Sequence, residues 1–165
     1  MKKILLLSLT LLISISSFSQ NKFGYINSDE LIQLMPETKT ADEELQTFTK
    51  SLQSQLQAMD AELQKTFQEY QNNIDTYDPL VKKDKESEIQ SLQKRMQEFE
   101  QNAQQALQSK QQELLEPILQ KARQAIEDVA NEGDYTYIFE KSLGGILYAK
   151  ESENILEKVK KKLNL

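Results

Sequence analysis

The chain is rich in charged side chains but poor in the residues that do covalent chemistry. It contains no His and no Cys, so the commonest general base, the thiol nucleophile and the ligands of most zinc sites are missing. Its 26 Asp and Glu residues could supply acid–base catalysis only where two carboxylates converge on one reacting group. Close pairs such as Asp60/Glu62 and Glu98/Glu100 stand two residues apart, and on a helix that spacing points them to different faces. No Gly-rich loop that could cradle a phosphate is present. The residues therefore predict no enzyme, no cofactor and no metal. They suit adaptable contact better. Met59, Phe67, Tyr70, Met96 and Phe99 combine flexible thioethers with broad aromatic faces, the side chains that accept varied partners. The same five also suit the core of a helical hairpin. Lys82, Lys83 and Lys85 could meet an anionic membrane surface, or form a solvated run beside Asp84, Glu86 and Glu88.

The element that must position the contact residues is a long periodic stretch from Ala41 to Ile74. Ala41, Leu45, Phe48, Leu52, Leu56, Met59, Leu63, Phe67, Tyr70 and Ile74 follow steps of 4, 3 and 4 without a break. That repeat of 11 residues over three turns lies close to the 3.6 residues per turn of a straight α-helix. The apolar stripe stays on one side for its whole length. A polar-coated helix of this kind needs a surface to lie against.

A second periodic segment supplies that surface. Val81, Ile89, Leu92, Met96, Phe99, Ala103, Leu107, Leu114, Ile118, Ala122, Ala125 and Val129 share a stripe, interrupted by Lys85 and Lys110. Thr76-Tyr77-Asp78-Pro79 is a turn signal between the two, since a proline disfavours helix in the residue before it. Two helices of matching period joined by a tight turn make an antiparallel hairpin, in which positions whose numbers sum to about 157 face each other. Each arm reaches on the order of 70 Å. Pro117 sits amid strong periodicity and is read as a kink, not an end.

The ends of the chain read differently. Lys22 to Asn27 is a short aromatic strand, and Asn27 or Ser28 caps a brief helix. Pro36 then opens the long helix after a bend. Gly133 is placed as the C-terminal cap of the second arm. Asp134 to Glu140 alternates as a strand, Ser142 to Gly145 turns, and Ile146 to Ala149 forms the other strand of a β-hairpin. Ser152 is read as the cap of a last helix, with Ile155, Leu156, Val159 and Leu163 on its inner face. The expected fold is mainly α, with a small antiparallel β-sheet body and the helical hairpin projecting from it. Residues 20–35 and 133–165 make the body; residues 36–132 make the hairpin, with its tip near 76–80. A body of about 50 residues without disulfide or metal is marginal alone, so oligomerisation is expected. Phe23, Tyr25, Tyr135, Tyr137 and Phe139 are the candidates for the shared core.

Residues 1–19 read as a secretory signal peptide: Lys2 and Lys3, an apolar run from Ile4 to Ile15, and small residues up to Ser19. Its removal takes Lys and Arg from 20 to 18 against 26 acids, moving the net charge from −6 to −8. Such a surface does not suit nucleic acid.

The strand Phe23-Gly24-Tyr25-Ile26-Asn27 with Ser28-Asp29-Glu30-Leu31, and the distant Asp134 to Glu140 with Gly145 to Ala149, resemble the two ends of the Skp/OmpH family. The order of elements between them is similar too. The resemblance implies a periplasmic, homotrimeric chaperone with three helical tentacles. Such a chaperone holds unfolded outer-membrane proteins without ATP and hands them to the outer-membrane assembly machinery. The five Met and aromatic residues would then be contacts for those clients. The acidic charge departs from the basic members of that family. The alternative is a structural or adaptor coiled-coil protein of the cell envelope with one folded partner.

Overall fold

The computed structural model describes residues 21–165; the export segment expected at residues 1–19 lies outside them. The order of elements is β1 (Phe23–Ile26), α1 (Ser28–Leu34), α2 (Pro36–Asn73), α3 (Pro79–Glu132), β2 (Tyr137–Glu140), a 3-10 turn (Glu151–Glu153) and α4 (Leu156–Leu163). The chain divides into two compact units. Of the described residues, one comprises 21–31 with Ala122–Leu165; the other is Ile32–Lys121.

In the second unit, Pro36 stands at the start of α2 and the preceding Met35 is extended, with φ −73° and ψ 129°. The proline ring enforces that bend by excluding helical geometry from the residue before it. At the other end the amides of Thr76 and Tyr77 donate to the Asn73 carbonyl. The Asp78 carboxylate then accepts the amides of Leu80 at 2.8 Å and Val81 at 3.0 Å, which satisfies the open N-terminus of α3. Side chains tie the two helices in sequence: Tyr70 to Glu86 at 2.6 Å, Glu62 to Arg95 at 3.6 Å, Glu44 to Lys110 at 3.9 Å, and Glu37 to Lys121. One index falls as the other rises, close to the register expected from the turn. Pro117 lies inside α3, which runs on to Glu132. Ile89, Leu92, Ile118 and Met35 are the buried apolar residues of this unit.

The sheet of the first unit departs from expectation. β1 and β2 are parallel, with Phe23 opposite Tyr137 and Ile26 opposite Glu140. An antiparallel pair can close through a tight turn, whereas these strands are joined by the whole helical excursion, which permits a parallel return. The sheet has two strands, because Ile146 to Ala149 forms none. The far edge of β1 is already taken: Tyr25 bridges to Asn154, and the Ile155 amide donates to the Tyr25 carbonyl at 3.0 Å. β2 also starts later than expected. The Tyr135 amide still serves the end of α3, donating to Ala130 at 2.9 Å.

Two caps differ as well. The left-handed residue after α3 is Asp134, at φ 51°, not Gly133. The last helix starts at Leu156, where Asn154 and not Ser152 accepts the Leu156 amide, at 3.0 Å. Asn27, one of the two caps expected for α1, accepts the Glu30 amide at 3.2 Å. Ile26, Leu31, Ile155 and Val159 are fully buried in this unit, joined by Tyr25, Ala122, Ala125, Val129 and Leu156.

Candidate functional site

The first unit presents an aromatic surface that its own chain does not cover. Parallel pairing places Phe23 beside Tyr137 in the register and sets Phe139 two residues on, along the same face. Their rings group together: Phe23 stacks on Tyr137 with centroids 6.0 Å apart, and Phe139 lies 6.1 Å from Phe23 and 6.2 Å from Tyr137. All three remain roughly half exposed. Beside them opens a cavity of about 620 Å³ lined by Phe23, Tyr25, Phe139 and residues 145–149. The segment after β2 adds Leu143, Leu147 and Tyr148, with Leu147 99% exposed. A monomer seldom leaves so contiguous an apolar surface in water.

The other two aromatic candidates turn inward. Tyr25 is buried and its hydroxyl donates to Glu151 at 2.9 Å. Burial and that carboxylate both push the phenol above its ordinary range. The Glu151 carboxyl is held low by hydrogen bonds from Asn154 and Tyr25. Tyr135 packs within its own chain. Its ring lies against Gly24 and Gly133, with the Lys22 ammonium 4.3 Å and the Lys158 ammonium 5.1 Å from the ring centroid. Lys158 also donates to its hydroxyl at 2.6 Å. The structure thus brings Phe23, Tyr137 and Phe139 together on an open face, and employs Tyr25 and Tyr135 in holding the unit.

Glu140 carries a role that the sequence did not announce. Its carboxylate accepts the Ser28 amide at 3.2 Å and the Ser142 amide at 2.9 Å, joining the end of β2 to the start of α1 and to the exposed segment. Burial alone would raise its pKa, but the bonds from Ser28 and Ser142 outweigh it and hold the carboxyl below its ordinary value. Leu147 and Tyr148 were also missed as surface residues. A signal existed: Ile146-Leu147-Tyr148-Ala149 has no polar alternate, so as a strand it would need cover on both faces.

In the helical unit, Met59, Tyr70, Met96 and Phe99 are half-buried. Phe67 is 45% exposed, whereas its neighbour Thr66 is buried, so burial shifts by one residue from the repeat there. Leu80, Val81, Leu115 and Leu119 add further exposed apolar area. Among the described residues, no three His, Cys, Asp or Glu side chains gather so as to hold a metal ion.

One unit thus presents two long facing helices with open apolar edges, and the other a small sheet with an uncovered aromatic face. The chain belongs to the OmpH-like outer membrane protein family, whose model matches residues 22–163. A crystal structure from Caulobacter crescentus CB15, described as a putative outer membrane chaperone (OmpH-like), has a similar fold with a TM-score of 0.78. It is 14% identical, with 88% of this chain and 85% of that one covered. Comparison with curated proteins finds no match.

Proposed function

We propose that this protein is an ATP-independent holdase of the periplasm that keeps unfolded outer-membrane proteins from aggregating, working as a homotrimer. The observation that carries the reading is the incomplete burial of the helical unit's apolar residues. Phe67, Leu80, Val81, Leu115 and Leu119 are each at least 36% exposed on helices otherwise coated with Gln, Glu and Lys. Scattered apolar area on a wet surface favours weak, adaptable binding of many chains over tight binding of one. Family membership and the fold shared with the Caulobacter structure support the same reading. Self-association is part of it, since the Phe23/Tyr137/Phe139 face and the segment around Leu147 lack a cover. Export rests on the sequence of residues 2–19.

The test is to dilute a urea-unfolded outer-membrane β-barrel protein into buffer with and without the purified mature chain. Delayed light scattering and a complex in native mass spectrometry are expected. Aggregation at an unchanged rate with no complex overturns the reading.

A further inference from the structure

Burial within the helical unit is uneven along its length. Ile89 and Leu92 are sealed toward the turn, and Ile118 and Met35 toward the other end, each no more than 8% exposed. Between them no apolar residue of either helix is fully buried: Phe48, Leu52, Leu56 and Met59 on α2 are only half-buried, as the rest of the α2 stripe largely is, and so are Phe99 and Leu107 on α3. The cause lies in the residues facing them. The α3 stripe here carries the small Ala103, with Ala106 beside it, and then Lys110, whose side chain keeps a quarter of its exposure and reaches Glu44 and Glu113. Small residues leave thin contact across the interface, and a lysine on the stripe brings a charge that must stay near water. Leu107 is the one large apolar residue in 101–112, and the rest of that stretch is Gln, Asn and Ser. Ion pairs between the helices bracket the stretch at Glu62–Arg95, which is solvent-exposed, and Glu44–Lys110, which is partly so, and none lies between them among the described residues.

We infer that residues 45–59 of α2 and 99–110 of α3 form an opening section, at which the hairpin parts locally while both of its ends stay closed. Local stability follows the density of buried apolar contacts, and the fully buried residues of α3 flank the middle without entering it. Parting the helices turns Phe48, Leu52, Leu56 and Met59 outward as one apolar strip. Its partner is an extended apolar segment of an unfolded chain, so the inference rests on the holdase reading. The hairpin then buries its binding strip against itself when idle, which limits self-aggregation without a nucleotide-driven switch.

The experiment has two readouts on the mature chain. Hydrogen exchange should be at least about tenfold faster at residues 45–59 and 99–110 than around Leu92 and Ile118. Uniform protection along both helices overturns the opening section. The second readout uses Leu52→Cys with Ala106→Cys, oxidised to lock the middle and then reduced. The oxidised form should hold a urea-unfolded outer-membrane β-barrel protein several-fold less well, and reduction should restore holding. Should the pair resist cross-linking, Ala103→Leu serves instead; filling the gap should slow exchange in the middle and weaken holding together. Equal holding by locked and reduced forms overturns the inference while leaving the holdase reading intact. Fast exchange in the middle with no client held by any form, wild type included, overturns the holdase reading and the role given to the strip.

Discussion

A Cβ atom added to Gly133 would lie 2.5 Å from Cε2 of Tyr135. The ring occupies the space that any other residue at position 133 would fill, and the Val129 carbonyl stands 3.0 Å away on another side. Gly133 is thus required by close packing and not by a left-handed backbone, which falls on Asp134. Gly133→Ala should destabilise the protein by about 1–3 kcal/mol, as overpacking does. Gly145→Ala, where a Cβ meets nothing within 4 Å, should change stability by less than about 0.5 kcal/mol. Urea denaturation of the two variants checks the contrast; equal effects would refute the packing of Tyr135 on Gly133 as the reason for the glycine.

Glu140 gives the fold a response to acid. Hydrogen bonds from Ser28 and Ser142 hold its carboxyl below the ordinary value in the folded chain, while glutamates in the unfolded chain titrate near about pH 4.3. A depressed folded pKa contributes stability that is complete above the unfolded value and is lost as pH falls through the folded one. Melting temperature should therefore drop below about pH 4.3, and Glu140→Gln should flatten part of that drop. At neutral pH Glu140→Ala should cost about 1–2 kcal/mol, since two amides lose a charged acceptor. An identical pH slope in wild type and Glu140→Gln would count against this account.

The helical unit should draw its stability from the stripe and not from the ion pairs that cross it. Ile118 is 4% exposed, and Ile118→Ala should cost about 2–4 kcal/mol through lost burial and the cavity left behind. The side chains of Lys121 and Glu37 keep 49% and 40% of their exposure, so solvent screens the pair, and Lys121→Ala should cost less than about 1 kcal/mol. Urea midpoints for the two variants decide which effect dominates.

The helices were legible in the sequence because periodicity is a local property of the chain. The repeat from Ala41 to Ile74, the turn at Asp78 and the break before Pro36 each depend on residues within a few positions of one another. The sheet was not legible in the same way. The parallel pairing of β1 with β2 joins Tyr25 to Phe139, 114 positions apart, so no local pattern announces it. Alternation in Asp134 to Glu140 signalled a strand but not its partner. Tyr135 was grouped with Tyr137 and Phe139 by composition, yet the two glycines that admit its ring separate it from them. Phe67 fell on the repeat while its neighbour Thr66 took the buried place, a one-residue drift that a pattern of spacing does not resolve.

Leu147 offers a clean test of self-association because the chain itself makes no use of it. At 99% exposure, its replacement by Asp removes nothing that a lone chain buries, so a monomer should keep its unfolding free energy within about 0.5 kcal/mol. If other copies cover the aromatic face, the same change places a charge in an apolar interface, where burial without a partner is strongly unfavourable. Phe139→Asp, within the ring cluster, should act in the same direction. Association also makes melting temperature depend on protein concentration, through mass action. The wild-type chain should show that dependence, together with a light-scattering mass near three chains at micromolar concentration. Leu147→Asp should lose both, falling toward the mass of one chain. A wild-type protein of single-chain mass, whose melting temperature does not move with dilution, would leave the Phe23/Tyr137/Phe139 face without its proposed cover.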